Sequence, residues 1–515
     1  MNGVDLFCHN SNNAKDRLEY GTGNVHFTSH VFIIFLAVFF ALYWCARTAR
    51  WQNLILVVAS YLFYGWWDYR FCALILFSSL VDFAIGSKVF STENSSRRKV
   101  WLGVSLVSNL GLLAVFKYFG FFADNLNLLA QSLGWSLHPI TLNIILPVGI
   151  SFYTFQTLSY TIDIYRKQLK PAGSIIDYLA FVSFFPQLVA GPIERGRNLL
   201  PQFLNARKFD RALAQDGCRW ILWGFFKKLA IADPLAVAVD QYYGDWHSAS
   251  GAELTLATIF FAFQIYCDFS AYSDIAIGTA KLFSIKLMRN FAYPYFSQSI
   301  GEFWRRWHIS LSTWFRDYVY IPLGGNRAGK ARNSLNLMAT FLLSGLWHGA
   351  AWTFVAWGGI HGAALTGERA AQGSSKPKAQ GQRGDAIPGG ERLFPGPIVF
   401  SKIVLTFGIV CCGWVFFRAG TITDAFGILA RMFTKTFSAA SLAGVDSFIS
   451  AHETTMVILI LFVAIEWVRR RHECPLSSGR KMFVPVRWAV YSFLIWGSLY
   501  QIAELDEQPF VYFAF

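Results

Sequence analysis

Residues 342–362 read LLSGLWHGAAWTFVAWGGIHG. The run carries no Asp, Glu, Lys or Arg and joins two apolar runs, starting at 333 and 351, that approach the ~20 residues a helix needs to cross the hydrocarbon of a bilayer. An imidazole inside such a span is costly without a partner or a water-filled path, which makes His348 a functional-site candidate. Gly345 and Gly349 flank it and let another backbone or a substrate approach closely. His361 lies near the far end of the following apolar run and reads more readily as a structural histidine.

The rest of the chain has the same character. Of its 515 residues 54% are hydrophobic and 15% charged, whereas a soluble domain carries about 25% charged residues. Mean hydropathy is +0.37, and 50 Phe, 21 Tyr and 19 Trp suit a lipid-facing surface with aromatic belts at its edges. The expected class is an all-α polytopic membrane protein in contact with the lipid bilayer. Lys and Arg number 45 against 31 Asp and Glu, a net +14, but they fall between apolar spans and form no sustained basic face, so no nucleic-acid partner is expected. The eight cysteines are scattered without a CxxC pair and read as small buried hydrophobes, with no metal site implied. Residues 1–30 are polar, and the apolar segment from Val31 to Cys45 lacks a small-residue cleavage site, so it reads as a retained first span.

Apolar runs of about spanning length start at residues 31, 52, 71, 101, 142, 219, 254, 333, 351, 398, 455 and 484. Arg47 and Arg50 after the first, Lys88 and Arg97–Lys99 after the third, and Arg166, Lys167 and Lys170 after the fifth place those ends in the cytoplasm and the N-terminus outside. The stretches 175–200 and 286–332 are too polar or too broken by Pro and Gly to be simple spans. Irregular backbone at membrane depth survives only inside protein or along a wet cavity, so function is expected there. Residues 367–397, rich in Gly, Pro, Gln and charge, read as a flexible loop. The chain then divides into a polar extension (1–30), a core (31–366), the loop, and C-terminal helices (398–515) that complete the membrane domain.

Gly301–Gly325, GEFWRRWHISLSTWFRDYVYIPLGG, is the most informative polar stretch. On a continuous helix Trp304, Trp307, Leu311, Trp314, Phe315 and Tyr318 share one arc, with Arg305, Arg306, Thr313, Arg316 and Asp317 opposite and His308 at the border. Pro322 and Gly324–Gly325 end it. Lipid all round would strand three guanidinium groups, so such a helix lies in an interface or lines a cavity. Asp163, Gln187, Glu194, Gln264, Asp268 and Asp274 also interrupt apolar context, and interhelical hydrogen bonding is their simplest role. Pro186–Gly196, PQLVAGPIERG, breaks any helix it sits in. These features define a polar interior holding His308 and His348; they leave enzyme and transporter both open.

WRRWHISLSTWFRDYVYIPLGGNR (304–327) with SGLWHGAAWTFVAWGGIHG (344–362) closely resembles the membrane-bound O-acyltransferase family, in its bacterial branch. LPVGISFYTFQTLSYTIDIYR (146–166), FFPQLVAGPIER (184–195), QIYCDFSAYSDIAIG (264–278) and FVYFAF (510–515) support the likeness, which runs from about 140 to 420 and more loosely to the end; the extension 1–30 and the loop 367–397 depart from it. The resemblance implies a ring of about 11–13 membrane helices around a thinned core with a tunnel and re-entrant or interfacial helices. It puts the family's invariant histidine at His348 and its second site residue at His308. It further implies a bacterial inner-membrane enzyme that takes acetyl groups from cytoplasmic acetyl-CoA, with no permanently bound cofactor, for O-acetylation of an exopolysaccharide, alginate or cellulose-like. An exported SGNH-type acetyltransferase and polysaccharide synthase machinery are the implied partners. D-alanyl transfer to teichoic acid is the alternative within the family, and a transporter or flippase the alternative outside it. Two in-span histidines without a paired-carboxylate relay count against a proton-coupled carrier. In the expected chemistry His348 takes the hydroxyl proton as general base, or carries the acyl group, while His308 polarises the carbonyl. Arg305, Arg306 and Arg316 are candidates for the donor phosphates, and interfacial anchoring explains the same residues.

Overall fold

The computed structural model describes residues 27, 29–135, 146–189, 191–327, 329–371, 390, 392–477, 483–504 and 510, and these form helices and no strands. The extension 1–30 and the tip of the 367–397 loop therefore lie largely outside the described residues. The caps are local. Ser29 accepts from Phe32 N ahead of the helix His30–Cys45, Thr48 accepts from Trp51 N ahead of Ala49–Ser91, and Ser250 with Glu253 closes a capping box on Gly251–Leu282.

Among the described residues four helices are long and apolar enough to cross a membrane unaided: Ala49–Ser91, Ser95–Ser132, Gly251–Leu282 and Pro397–Arg418. The pair Ser441–Ala451 and Glu453–Arg469, bent by 83°, makes a fifth if it is one broken span. The twelve apolar runs exceed this number because others form short helices, such as Val31–Cys45, or helices diluted by polar residues, such as Lys330–His348 and Trp352–Ala371. The runs starting at 52 and 71 lie on two helical segments of Ala49–Ser91 joined at Asp68, whose φ of −160° and ψ of 110° mark a kink. Leu, Ile, Val and Phe side chains stand exposed along these helices, among them Val107 at 74% and Leu405 at 66%. A surface of that kind needs an apolar solvent. The protein is a multi-pass membrane protein.

The chain forms two compact units. The first comprises residues 1–109, 156–188 and 195–209. Its interior is held by a buried Asp82 that accepts from Ser105 Oγ (2.5 Å), Asn109 Nδ2 (2.7 Å) and Thr161 Oγ1 (3.2 Å), and by Asn53, which donates to Asp177 (2.7 Å) and to the Phe203 carbonyl (2.8 Å). Gln187 donates to Gln156 at 2.8 Å in the same unit.

The second unit comprises 110–155, 189–194 and 210–515. Gly251–Leu282 is its central helix and packs on Arg211–Phe226 at Gly217 and Gly278, where a β-carbon on either residue would strike the other's carbonyl oxygen. Lys330–His348 packs on Trp352–Ala371 in the same way, with Gly345 against the Phe354 carbonyl. Residues 367–371 continue that second helix rather than opening the loop, because Glu368 accepts from Gly301 N (2.9 Å) and Ala370 and Ala371 favour helix. The next helix starts at Pro397, a residue suited to a first turn.

Candidate active site

The stretch 301–325 is not one helix. Ile300–Arg306 ends at Trp307, His308 adopts a left-handed backbone (φ 43°, ψ 56°), Ile309–Phe315 resumes the helix, and Arg316–Tyr320 is a π turn. The cause is a neighbouring segment that the helical pattern of 301–325 cannot register. Asn290 receives Ile309 N on its backbone carbonyl (2.9 Å) and Ser310 N on its side-chain Oδ1 (3.3 Å), and Ala292 N donates to the Arg306 carbonyl (2.9 Å). The first N–H groups of the second helix are thus met by another segment instead of a preceding turn. A left-handed conformation costs a non-glycine residue roughly 1–2 kcal/mol and persists where the surroundings impose it. The aromatic face still turns inward, with Trp307, Leu311, Trp314 and Phe315 buried; the extra residue of the π turn brings Tyr320 inside in place of Tyr318.

His348 is the last residue of Lys330–His348 and is 3% exposed; His308 is fully buried. Their ring centroids lie 6.3 Å apart, so two residues separated by 40 positions in sequence meet. Phe269 meets His308 edge-on at 4.7 Å, while Trp347 and Trp357 each stand 5.0 Å from His348 and Phe417 stands 5.6 Å away. Gly349 abuts the ring of Phe354, as expected of a residue chosen for close approach. Phe510, at the head of the FVYFAF motif, packs on Tyr272 (4.2 Å) and on Phe269 (5.9 Å), behind His308. His361 is buried against Trp357 (5.0 Å) and Trp304 (5.1 Å), one ring removed from His348.

The end of the His348 helix leaves carbonyls that need donors. Lys117 Nζ donates to Trp347 O (2.6 Å) and His348 O (3.0 Å), and Tyr118 Oη donates to Leu346 O (3.0 Å). Lys117 sits in the π turn Ala114–Tyr118, so this turn supplies the donors for the end of the His348 helix.

The three arginines separate. Arg306 is buried and spent on Glu302 (2.8–2.9 Å) and the Ala292 carbonyl (3.4 Å), which makes it a brace. Arg316 is exposed and paired with Asp317 at 2.7 Å, and Arg305 is exposed. Asp268 and Asp274 have the packing role expected of them: Asp274 pairs with Lys227 (2.7 Å), and Lys228 pairs with Asp268 (3.0 Å) and Asp233 (2.7 Å). Glu194 accepts from Met288 N at 2.5 Å. Among the described residues no three His, Cys, Asp or Glu side chains are grouped as a metal site. No disulfide is formed there either; Cys267, Cys411 and Cys474 are buried, whereas Cys45 and Cys218 are exposed, contrary to the reading of every cysteine as buried.

Asn290, Lys117 and the Lys227–Lys228 pair escaped the sequence reading. A lone lysine in an apolar run was a signal of the kind used for His348. Asn290, in a polar loop, gave none.

Two buried imidazoles thus meet at two helix ends, one ending in GLWHG and the other opening from WRRWHISLS. Residues 166–394 match the family model for MBOAT, the membrane-bound O-acyltransferase family. The chain is 39% identical over 460 residues to the probable alginate O-acetylase AlgI of Azotobacter vinelandii, covering 88% of this chain and 87% of that protein. To the probable alginate O-acetylase AlgI of Pseudomonas putida it is 37% identical over 512 residues, 95% and 100% of the two chains. To the peptidoglycan O-acetyltransferase of Helicobacter pylori it is 35% identical over 420 residues, 76% of each. The chain belongs to the membrane-bound O-acyltransferase family and is an O-acyltransferase. The transporter left open by composition is set aside.

Proposed function

We propose that the protein passes acetyl groups from cytoplasmic acetyl-CoA across the bacterial inner membrane for O-acetylation of an exopolysaccharide, alginate or a cellulose-like polymer. The observation that carries this reading is the meeting of His308 and His348 in a buried aromatic setting, in a chain whose relatives of near-equal length are named as O-acetylases. The D-alanyl alternative has the weaker support, since relatives named as teichoic acid D-alanyltransferases are 30% identical over only 42–44% of this chain.

An acetyl thioester is already activated, so two tasks remain: removing the proton of an attacking hydroxyl, and stabilising charge on the carbonyl oxygen as it becomes tetrahedral. His308 and His348 form the catalytic pair that divides these tasks. Water-excluding aromatic walls strengthen every electrostatic interaction between them. Arg305 and Arg316, exposed on the same stretch as His308, are the residues for donor phosphates, since a guanidinium pairs well with phosphate; Arg306 braces the turn between them. A bulky polymer does not reach an imidazole buried at this depth. The acceptor is therefore a hydroxyl on an exported partner, an SGNH-type acetyltransferase, which serves the polysaccharide synthase machinery.

The test is purified protein in vesicles given acetyl-CoA labelled in the acetyl group. Release of CoA with label appearing on a hydroxyl acceptor is the expected outcome. Movement of a substrate without thioester cleavage, or use of a D-alanyl carrier in preference to acetyl-CoA, would contradict it.

A further inference from the structure

Asn290 does more than start the Ile309–Phe315 helix. It is fully buried, and three groups converge on its Oδ1: Ser310 N (3.3 Å), Ser310 Oγ (2.9 Å) and His308 Nδ1 (3.0 Å); its Nδ2 donates to Ser273 Oγ at 3.2 Å. The two ends of an amide side chain are told apart by their partners. Ser310 N is a backbone N–H that only donates, so the atom facing it is the oxygen; the flipped amide would set donor against donor. That oxygen carries no hydrogen. His308 Nδ1, 3.0 Å from it, therefore carries one, because a lone pair there would face a lone pair. The Ser310 hydroxyl does not offer an escape, since it lies 2.9 Å from Asn290 Oδ1 and 3.5 Å from His308 Nδ1. A neutral imidazole has a single N–H, so Nε2 holds the lone pair.

We infer that Asn290 is a positioning residue that locks His308 in its Nδ1–H form, so that the neutral ring accepts a proton at Nε2. The inference rests on the reading of His308 as half of the catalytic pair, and it decides how the pair divides its work. An acceptor oriented on Nδ1 with a free-electron-pair nitrogen opposite is the arrangement that makes an imidazole a general base. The hydroxyl proton moves to His308 Nε2 as the oxygen forms its bond to the acetyl carbon. The C–S bond then breaks, and the departing thiolate takes the proton from Nε2, leaving ester, thiol and the neutral ring as before. Charge on the carbonyl oxygen falls to His348. This reverses the division of roles expected from the sequence, where His348 was the base.

The experiment uses the full-length protein in nanodiscs with 15N-labelled histidine, the His308 signals being identified by their loss in His308→Gln. The expected spectrum shows His308 protonated at Nδ1 and bare at Nε2. A ring protonated only at Nε2 would overturn the inference regardless of any activity. In a second arm, Asn290→Asp, which keeps an acceptor, should retain the tautomer and stay within several-fold of wild-type kcat. Asn290→Leu should scramble the tautomer and lower kcat about 100-fold with KM for acetyl-CoA unchanged, a general base being worth about 10²–10⁴. An Asn290→Leu protein with the wild-type tautomer and kcat would also overturn it. His308→Gln separates the two levels of the argument: the expected spectrum together with a fully active His308→Gln protein would refute the catalytic reading while leaving the tautomer assigned.

Discussion

Lys117 Nζ donates to the backbone carbonyl of His348 at 3.0 Å, closing the helix that delivers this imidazole to its partner. A hydrogen bond of this kind is worth about 0.5–1.5 kcal/mol, and a misplacement of roughly 1 Å at a reacting group costs about 10²-fold in rate. Lys117→Met is expected to lower kcat by about that factor at equal membrane abundance, with Lys117→Arg recovering part of it. An unchanged kcat in Lys117→Met would remove this lysine from the positioning of His348.

The buried charges of Lys227, Lys228, Asp233, Asp268 and Asp274 make a different prediction, on stability. Removing one partner of a buried pair leaves the other charge uncompensated, at about 3–5 kcal/mol. Lys228→Met should therefore reduce the folded protein recovered from membranes and lower its melting temperature in detergent, whereas the double change Lys228→Met with Asp268→Leu should restore part of the loss. Thermal scans of the purified variants decide it; a Lys228→Met protein as stable as wild type would show that the pairs carry no net stabilisation.

How far the sequence reached is clear from the stretch around His308. Apolar periodicity identified which of its side chains face inward, because burial of Trp307, Leu311, Trp314 and Phe315 depends on helical spacing alone. The break at His308 was hidden, since it is imposed by Asn290 from 18 positions upstream, and a hydrogen bond across that distance leaves no periodic trace. The two histidines were legible because an imidazole in apolar context is costly, and the resemblance put them in one site; their separation of 6.3 Å was not legible, because it depends on how two helix ends pack. The glycines at 345 and 349 were legible as sites of close approach. What approaches, Phe354, was not.

The arginines should divide along the lines of their exposure. Arg305→Gln and Arg316→Gln are each expected to raise KM for acetyl-CoA by about ten-fold or more with little change in kcat, the signature of lost ground-state binding. Arg306→Gln should instead lower stability, because its guanidinium is buried on Glu302. Steady-state kinetics over a range of donor concentrations checks this. Unchanged KM in the first two variants would return them to interfacial anchoring.

Deletion of residues 372–388 is expected to leave acetyl transfer within about two-fold, given a composition unable to bury a core. The cut must stop there. The Gly390 and Arg392 carbonyls accept from Arg470 at 3.1 and 2.6 Å, and the Leu393 carbonyl accepts from Trp467 Nε1 at 2.6 Å, so that part of the sequence-expected loop is docked on the helix Glu453–Arg469. A deletion extended through Leu393 should lose stability, which limited proteolysis of the two variants will compare.

The central claim is that His308 and His348 act together as the acyl-transfer pair. The most direct measurement is the initial rate of acetyl transfer by purified, correctly inserted His308→Ala, His348→Ala and His361→Ala at equal abundance. Loss of a general base costs about 10²–10⁴-fold and loss of a group that stabilises the oxyanion about 10²–10³-fold. His308→Ala and His348→Ala are each expected to fall at least about 100-fold, the double variant little further because the two act as a unit, and His361→Ala to keep most of its activity. A well-inserted His348→Ala or His308→Ala protein that transfers acetyl groups at the wild-type rate would contradict the account.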